Sequence, residues 1–144
     1  MEREPTIEAP PGARVRHDPR ELAAIFAGGF LGAIARTALA RGFAVAPGHW
    51  PWTTLAVNLI GAALLGYIIT WLQGHPDPSD HKRAFLATGF CGALTTFSTL
   101  MVELLGMLEA SRWGLAGGYA LVSIVGGLAA VVVGSRLARK RPAR

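Results

Sequence analysis

The sequence contains a single cysteine, Cys91. An intrachain disulfide is therefore impossible and no metal site built on cysteine pairs can form, which leaves Cys91 as a small packing residue. Charge is scarce as well: charged residues supply 16% of the chain and hydrophobic residues 51%, a ratio soluble domains rarely show. Catalytic constellations are missing. There is no Ser/His/Asp or Cys/His arrangement, no phosphate-cradling loop and no paired-carboxylate site, and His17, His49, His75 and His81 fall in predicted tails and loops, where a solvated histidine is the ordinary outcome. Enzyme activity is not expected. Acidic charge is in the minority, for a net charge of +5. The basic residues flank apolar blocks and are not interleaved with stacking aromatics, so the excess reads as membrane topology and not as nucleic-acid binding.

What is present is a set of long apolar blocks. A spanning helix needs about 20 mostly apolar residues, because the hydrocarbon core is roughly 30 Å thick and a helix rises about 1.5 Å per residue. Four segments qualify: Leu22 to Phe43, Thr53 to Leu72, Ala84 to Leu108 and Trp113 to Leu137. Pro47 and Pro51, Pro76 and Pro78, and Arg112 mark the joints. Trp50, Trp52, Trp71 and Trp113 fall at predicted span ends, where an amphipathic ring prefers the headgroup layer. The chain thus divides into a tail over 1–20, a four-helix transmembrane domain over 21–138 and a basic tail over 139–144. The first tail has prolines, mixed charge and none of the apolar centre of a signal peptide, and reads as disordered and cytoplasmic. Arg3, Arg14, Arg16, Arg20, Lys82, Arg83 and the cluster from Arg136 to Arg144 lie on one side, against Arg41 and Arg112 on the other. The positive-inside rule then predicts a multi-pass protein of the cell inner (plasma) membrane with both termini in the cytoplasm. Gly28-Gly29, Gly32, Gly61, Gly66, Gly117-Gly118 and Gly126-Gly127 are expected at helix contacts, because small residues let backbones approach closely.

Polar residues inside such spans are the candidates for function. Asn58, near the head of the second span, offers two donors and two acceptors, and a helix-to-helix hydrogen bond accounts for it as well as an ion path does. The third span carries Gly89-Phe90-Cys91-Gly92-Ala93-Leu94-Thr95-Thr96-Phe97-Ser98-Thr99. Glycines followed by hydroxyls make a poor continuous helix, and a break inside a membrane is tolerated only where its backbone groups find protein, water or an ion. The alternative is a span whose hydroxyls bond back to their own helix. Glu103, shortly after, must be paired, protonated or wet. Arg36 raises the same demand, although its stem can let the guanidinium snorkel. Tyr119 and Ser123, four apart in the fourth span, share a face.

From Leu22 to Leu137 the chain resembles the Fluc/CrcB family of fluoride channels. The motifs that carry the resemblance are Gly28-Gly29-Phe30-Leu31-Gly32-Ala33-Ile34-Ala35-Arg36, Val57-Asn58-Leu59-Ile60-Gly61, and Gly89 through Thr99, followed by the Tyr119/Ser123 stripe. The resemblance implies an all-α membrane protein with four transmembrane helices, a broken third helix and an antiparallel, dual-topology dimer. Two narrow fluoride pores would lie between the subunits, each drawing on both chains. It further implies that Asn58 and Phe97 meet the ion, that Thr96, Ser98, Thr99, Tyr119 and Ser123 line a polar track, and that Arg36 adds positive charge near a pore mouth. A structural sodium ion, not transported, would be held by the backbone carbonyls of Gly92 and Thr95. The implied partners are fluoride, membrane lipid and the antiparallel second subunit.

Two departures from the family pattern stand out. Where the family places a second phenylalanine three residues after the first, this chain has Phe97 and then Leu100, which lacks a polarised ring edge. Dual insertion of one sequence also needs balanced loop charge, so the basic bias points to a fixed orientation and an oppositely oriented paralogue as partner. The competing readings are a small four-helix proton-coupled multidrug or cation exporter, for which Glu103 is the single candidate carboxylate, and a non-transporting membrane scaffold subunit.

Overall fold

The computed structural model describes residues 18–43, 45–46, 49–74 and 80–140. The expected N-terminal tail as far as residue 17, the end of the basic tail at 141–144, and His17, Pro47, His75, Pro76 and Pro78 lie outside them. All regular structure in the described residues is helical: α1 (Pro19–Gly42), α2 (Trp52–Gln73), α3 (Asp80–Arg83), a π-helical stretch (Ala84–Cys91), α4 (Gly92–Leu94), α5 (Phe97–Glu109) and α6 (Trp113–Arg139). They form four helical spans long and apolar enough to cross a membrane, the third running from Asp80 to Glu109.

The span ends differ slightly from those expected. Helix α1 starts at Pro19, not Leu22, because the Asp18 side chain accepts the Arg20 N–H at 2.9 Å and Pro19 is preset for the first helical position. Pro19 and Arg20 therefore lie in the first helix, with Asp18 as its cap. His81 lies on α3, the first turn of the third span, and pairs with Asp18 at 3.4 Å, both side chains being about half exposed.

Two parallel helix pairs make up the body, and glycines explain why. In the first pair, Gly28 and Gly32 of α1 face the carbonyls of Phe85 and Phe90, and Gly89 faces the Ile25 carbonyl, so that α1 lies directly on the π-helical stretch. In the second, Gly66 of α2 meets the Val131 carbonyl and Gly134 of α6 meets that of Ala63. A Cβ at any of these positions would collide with main chain, so the backbones approach as small residues allow. Other glycines expected at contacts are not there: nothing lies within 4 Å of where a Cβ would stand on Gly117 or Gly127, because that face of α6 points away from α2.

After Leu94 the chain leaves helical geometry. Thr95 (φ −74°, ψ 154°) and Thr96 (φ −145°, ψ 120°) are extended, and α5 begins at Phe97. The end of α5 is closed by Ser111 in the left-handed region (φ 57°), with the Ser111 N–H on the Leu108 carbonyl at 2.9 Å and the Arg112 N–H on that of Met107 at 2.8 Å. This tight turn lays α5 back along α6. Leu55, Met107, Ala116 and Tyr119 form the core there, with Trp50, Leu100 and Leu104 packed around it. Trp50, expected only as an interfacial anchor, meets the Tyr119 ring edge-on at a centroid distance of 5.7 Å. Phe97, Met101, Val102 and Leu105 of α5 remain exposed on its outer face.

The glycine contacts generate a paired prediction. Gly28→Ala should lower stability by about 3 kcal/mol, since the added methyl meets a carbonyl that cannot move aside. Gly114→Ala, which meets nothing, should leave stability unchanged or raise it by up to about 1 kcal/mol. Loss of monodispersity on heating in detergent checks both.

Candidate functional site

The interruption at Thr95 and Thr96 organises the site. In an unbroken helix the Thr96 N–H would close on the Gly92 carbonyl. It is donated instead to Asn58 Oδ1 at 2.8 Å, while Asn58 Nδ2 donates to the Thr96 carbonyl at 3.0 Å. One carboxamide on α2 thus satisfies both main-chain groups of an extended residue that is only 9% exposed. Two of the four hydrogen-bonding positions of Asn58 are used in this clip, and one N–H remains for another acceptor. The Thr96 hydroxyl caps α5, accepting the Thr99 N–H at 3.2 Å, and it donates to Thr99 Oγ1 at 3.0 Å with Ser98 Oγ 3.3 Å away. Thr95 behaves differently: its hydroxyl bonds back to the Cys91 carbonyl at 3.0 Å. Gly92 is exposed, with its helical amide partner diverted to Asn58.

Toward the end of the bundle that carries the α1–α2 connection, a second polar cluster surrounds Glu103. Thr54 Oγ1 donates to Glu103 Oε1 at 2.5 Å, and the Tyr119 hydroxyl donates to Oε2 at 2.7 Å. Of the outcomes open to a carboxylate in an apolar block, this chain supplies hydrogen-bonded pairing. Tyr119 is fully buried, and the buried Ser123 Oγ lies beside its hydroxyl. Thr54 was not picked out from the sequence. Its signal was the four-residue spacing to Asn58, which puts both on one face of α2.

Two adjoining cavities connect these clusters. One, of about 310 Å³, is bounded by Arg36, Arg41, Thr53, Thr54, Thr96 and Thr99 among others. The second, of about 420 Å³, is bounded by Thr53, Thr54, Thr99, Glu103, His49 and the apolar residues between them. They share Ala40, Thr53, Thr54 and Thr99. Arg36 Nε is buried there and donates to no acceptor among the described residues. The hydroxyls of Thr53, Thr54 and Thr96 already donate their protons within the chain, so the groups left to offer a hydrogen bond to an anion in this recess are the Thr99 hydroxyl, which accepts from Thr96, and the arginine.

The structure therefore brings Arg36, Thr96, Thr99 and Glu103 to one recess, with Asn58 behind Thr96 and Tyr119 behind Glu103. It does not bring Phe97 or Ser98 there. Phe97 is 74% exposed on the outside of α5, and Ser98 is exposed beside it. Leu100 turns the other way, into the Leu55, Met107 and Tyr119 core, where an aliphatic side chain fits without a ring edge to offer.

The clip at Thr96 predicts more than a loss of polarity for Asn58→Ala. Removing the carboxamide leaves a main-chain N–H and C=O unpaired inside the bilayer, so this variant should lose about 2–4 kcal/mol of stability. Asn58→Asp retains the acceptor for the Thr96 N–H and should lose less. Thermal unfolding of the two variants in the same detergent tests the order.

Comparison with known proteins places the chain among relatives. The profile of the family described as "CrcB-like protein, Camphor Resistance (CrcB)" matches residues 23–135. The chain is 54% identical to "Fluoride-specific ion channel FluC 1" of Mycolicibacterium paratuberculosis over 125 residues, covering 87% of this chain and 95% of that protein. It is 51% identical to the protein of the same name from Mycobacterium bovis, over 86% of this chain and 94% of the other. "Fluoride-specific ion channel FluC" of Bordetella petrii is 42% identical over 81% of this chain and 89% of its own length.

Proposed function

Because the chain belongs to the CrcB family, we propose that it is a subunit of a fluoride-specific ion channel, a passive exporter and not an enzyme, which lowers cytoplasmic fluoride and its toxicity. The observation that carries this reading is the donor-lined recess that runs from Glu103 past Thr54 and Thr99 to Arg36 and the Thr96 break. Fluoride is small and strongly hydrated, so a path must replace its water with donors. The free N–H of Asn58, the Arg36 Nε–H and the Thr99 hydroxyl are such donors, and the positive edge of an aromatic ring such as Phe97 supplements them. The exporter reading is less favoured by the same geometry, since both oxygens of Glu103 accept hydrogen bonds from within the chain.

One chain supplies half of the path. Phe97 and Ser98 stand exposed on α5 together with Met101 and Val102, and we take the antiparallel second subunit to cover that face, closing each pore between the two chains. The third helix then works as a broken helix, with its extended residues at the dimer centre. Gly92 and Thr95 fit a structural sodium ion by the chemistry of their donors: main-chain carbonyl oxygens suit a hard cation, and the diversion of the Thr96 amide frees the Gly92 carbonyl of its helical partner. Such an ion supplies positive charge that offsets the cost of bringing an anion into a low-dielectric region, and is not itself transported. Membrane lipid surrounds the remaining apolar faces. The loop charges favour both termini on the cytoplasmic side of the inner membrane and an oppositely oriented paralogue as the partner.

Two measurements test this reading. Liposomes holding the purified protein, with a candidate paralogue added in parallel, should show passive fluoride efflux and no chloride efflux. Proton-driven cation uptake would favour an exporter, and silence even with the partner would favour a scaffold. Phe97→Ala should cut the flux roughly tenfold or more while assembly persists, because the ring contributes little packing within its own chain. Tags at both termini should be found on the cytoplasmic face alone. Equal labelling from both faces would replace the paralogue pair with a self-paired homodimer.

A further inference from the structure

A shallow groove of about 380 Å³ runs along α1, bordered by Phe30, Ala33, Ile34, Thr37, Ala38 and Arg41. These residues follow the three- and four-residue spacing of a single helix face, and Gly28 and Gly32 turn the opposite face to the π-helical stretch. Phe30, Ile34 and Ala38 are exposed. The lining is ordered along the helix. It is apolar from Phe30 to Ala38 apart from Thr37, whose hydroxyl is already donated to the Ala33 carbonyl at 2.8 Å, and it ends in Arg41 on the last turn. Arg41 is exposed and forms no salt bridge among the described residues. The rise from Phe30 to Arg41 is about 16 Å, close to half of the roughly 30 Å hydrocarbon core, so the groove covers the depth of one leaflet.

We propose that this groove binds one anionic phospholipid, with an acyl chain along Phe30, Ile34 and Ala38 and the phosphate on Arg41. Such binding requires only that the chain span a membrane and is independent of the channel reading. The polarity of the groove matches that of a lipid within one leaflet, an apolar tail that ends in a charged headgroup at the span end. A guanidinium can meet two phosphate oxygens with parallel N–H bonds, which makes arginine a specific partner for a phosphodiester. A headgroup without a cation of its own leaves the phosphate to Arg41, whereas choline carries an ammonium that competes for it. Arg41 also borders the 310 Å³ cavity, so a guanidinium turned into the recess would leave the groove without its charge.

The test is native mass spectrometry of the full chain with its partner, delipidated in detergent and then titrated with phosphatidylglycerol or with phosphatidylcholine of the same acyl chains. Wild type, Arg41→Gln and Ala38→Trp are compared, with helix content checked by circular dichroism. The assembled wild type should retain phosphatidylglycerol about fivefold more tightly than phosphatidylcholine. Arg41→Gln should erase that preference, and Ala38→Trp, which keeps the charge but fills the groove, should lose retention of both lipids. Equal retention of the two lipids by the wild type overturns the proposal, as does a preference that survives Arg41→Gln or retention that Ala38→Trp leaves unchanged. Lipid adducts found on single chains but absent from dimers would give the groove to the second subunit and overturn it too. The flux measurement decides the channel reading separately, and none of these outcomes bears on it.

Discussion

A bilayer core has no water to satisfy a main-chain group that leaves a helix, and that constraint shapes everything around Thr96. Two residues in extended conformation at mid-membrane would leave polar groups stranded. Asn58 resolves this with one side chain, accepting the Thr96 N–H and donating to the Thr96 carbonyl. The clip fixes the height of α2 against the third span. It also sets the rotation of α5, whose first turn is capped by the Thr96 hydroxyl. Phe97 then points outward and Thr99 inward, and Glu103 arrives within reach of Thr54 and Tyr119. The position of the recess thus follows from how one extended residue is satisfied.

The two parallel helix pairs supply the stiffness this arrangement requires. Glycine faces bring α1 against the π-helical stretch and α2 against α6 at main-chain contact, so that little apolar side-chain bulk lies between them. Small-residue interfaces of this kind rely on close packing, since lipid tails provide no hydrophobic drive between helices. The side of α5 away from α6 has no comparable partner among the described residues. Its outer face keeps Phe97, Met101, Val102 and Leu105 exposed.

Much of this was legible in the residues. Span length and composition pointed to four helices, and Gly28, Gly32, Gly61 and Gly66 lie at close contacts as small residues in spans suggest. Thr95 and Thr96, in the hydroxyl run after Gly92, have extended backbone, and α5 begins at Phe97. What stayed hidden depends on which way a helix faces. Gly117 and Gly127 look like contact residues by type but sit on an open face of α6. Leu100 reads as a missing ring in the ion path, yet it packs into the core beside Met107. Thr54 looked like an ordinary residue at the head of a span until its hydroxyl was found on Glu103, 49 positions away. Residue type and spacing give the face of a helix, whereas the neighbour of that face is set by long-range packing.

The central claim is that donors along this recess pass a small hard anion down its own gradient, with no coupled proton. The measurement that addresses it most directly is the reversal potential of current through the protein and its partner in a planar bilayer, under opposed fluoride, chloride and proton gradients. The account predicts a reversal potential that follows the fluoride gradient and does not move when the chloride or proton gradient is changed. A reversal potential that shifts with the proton gradient, or that follows chloride, would contradict it.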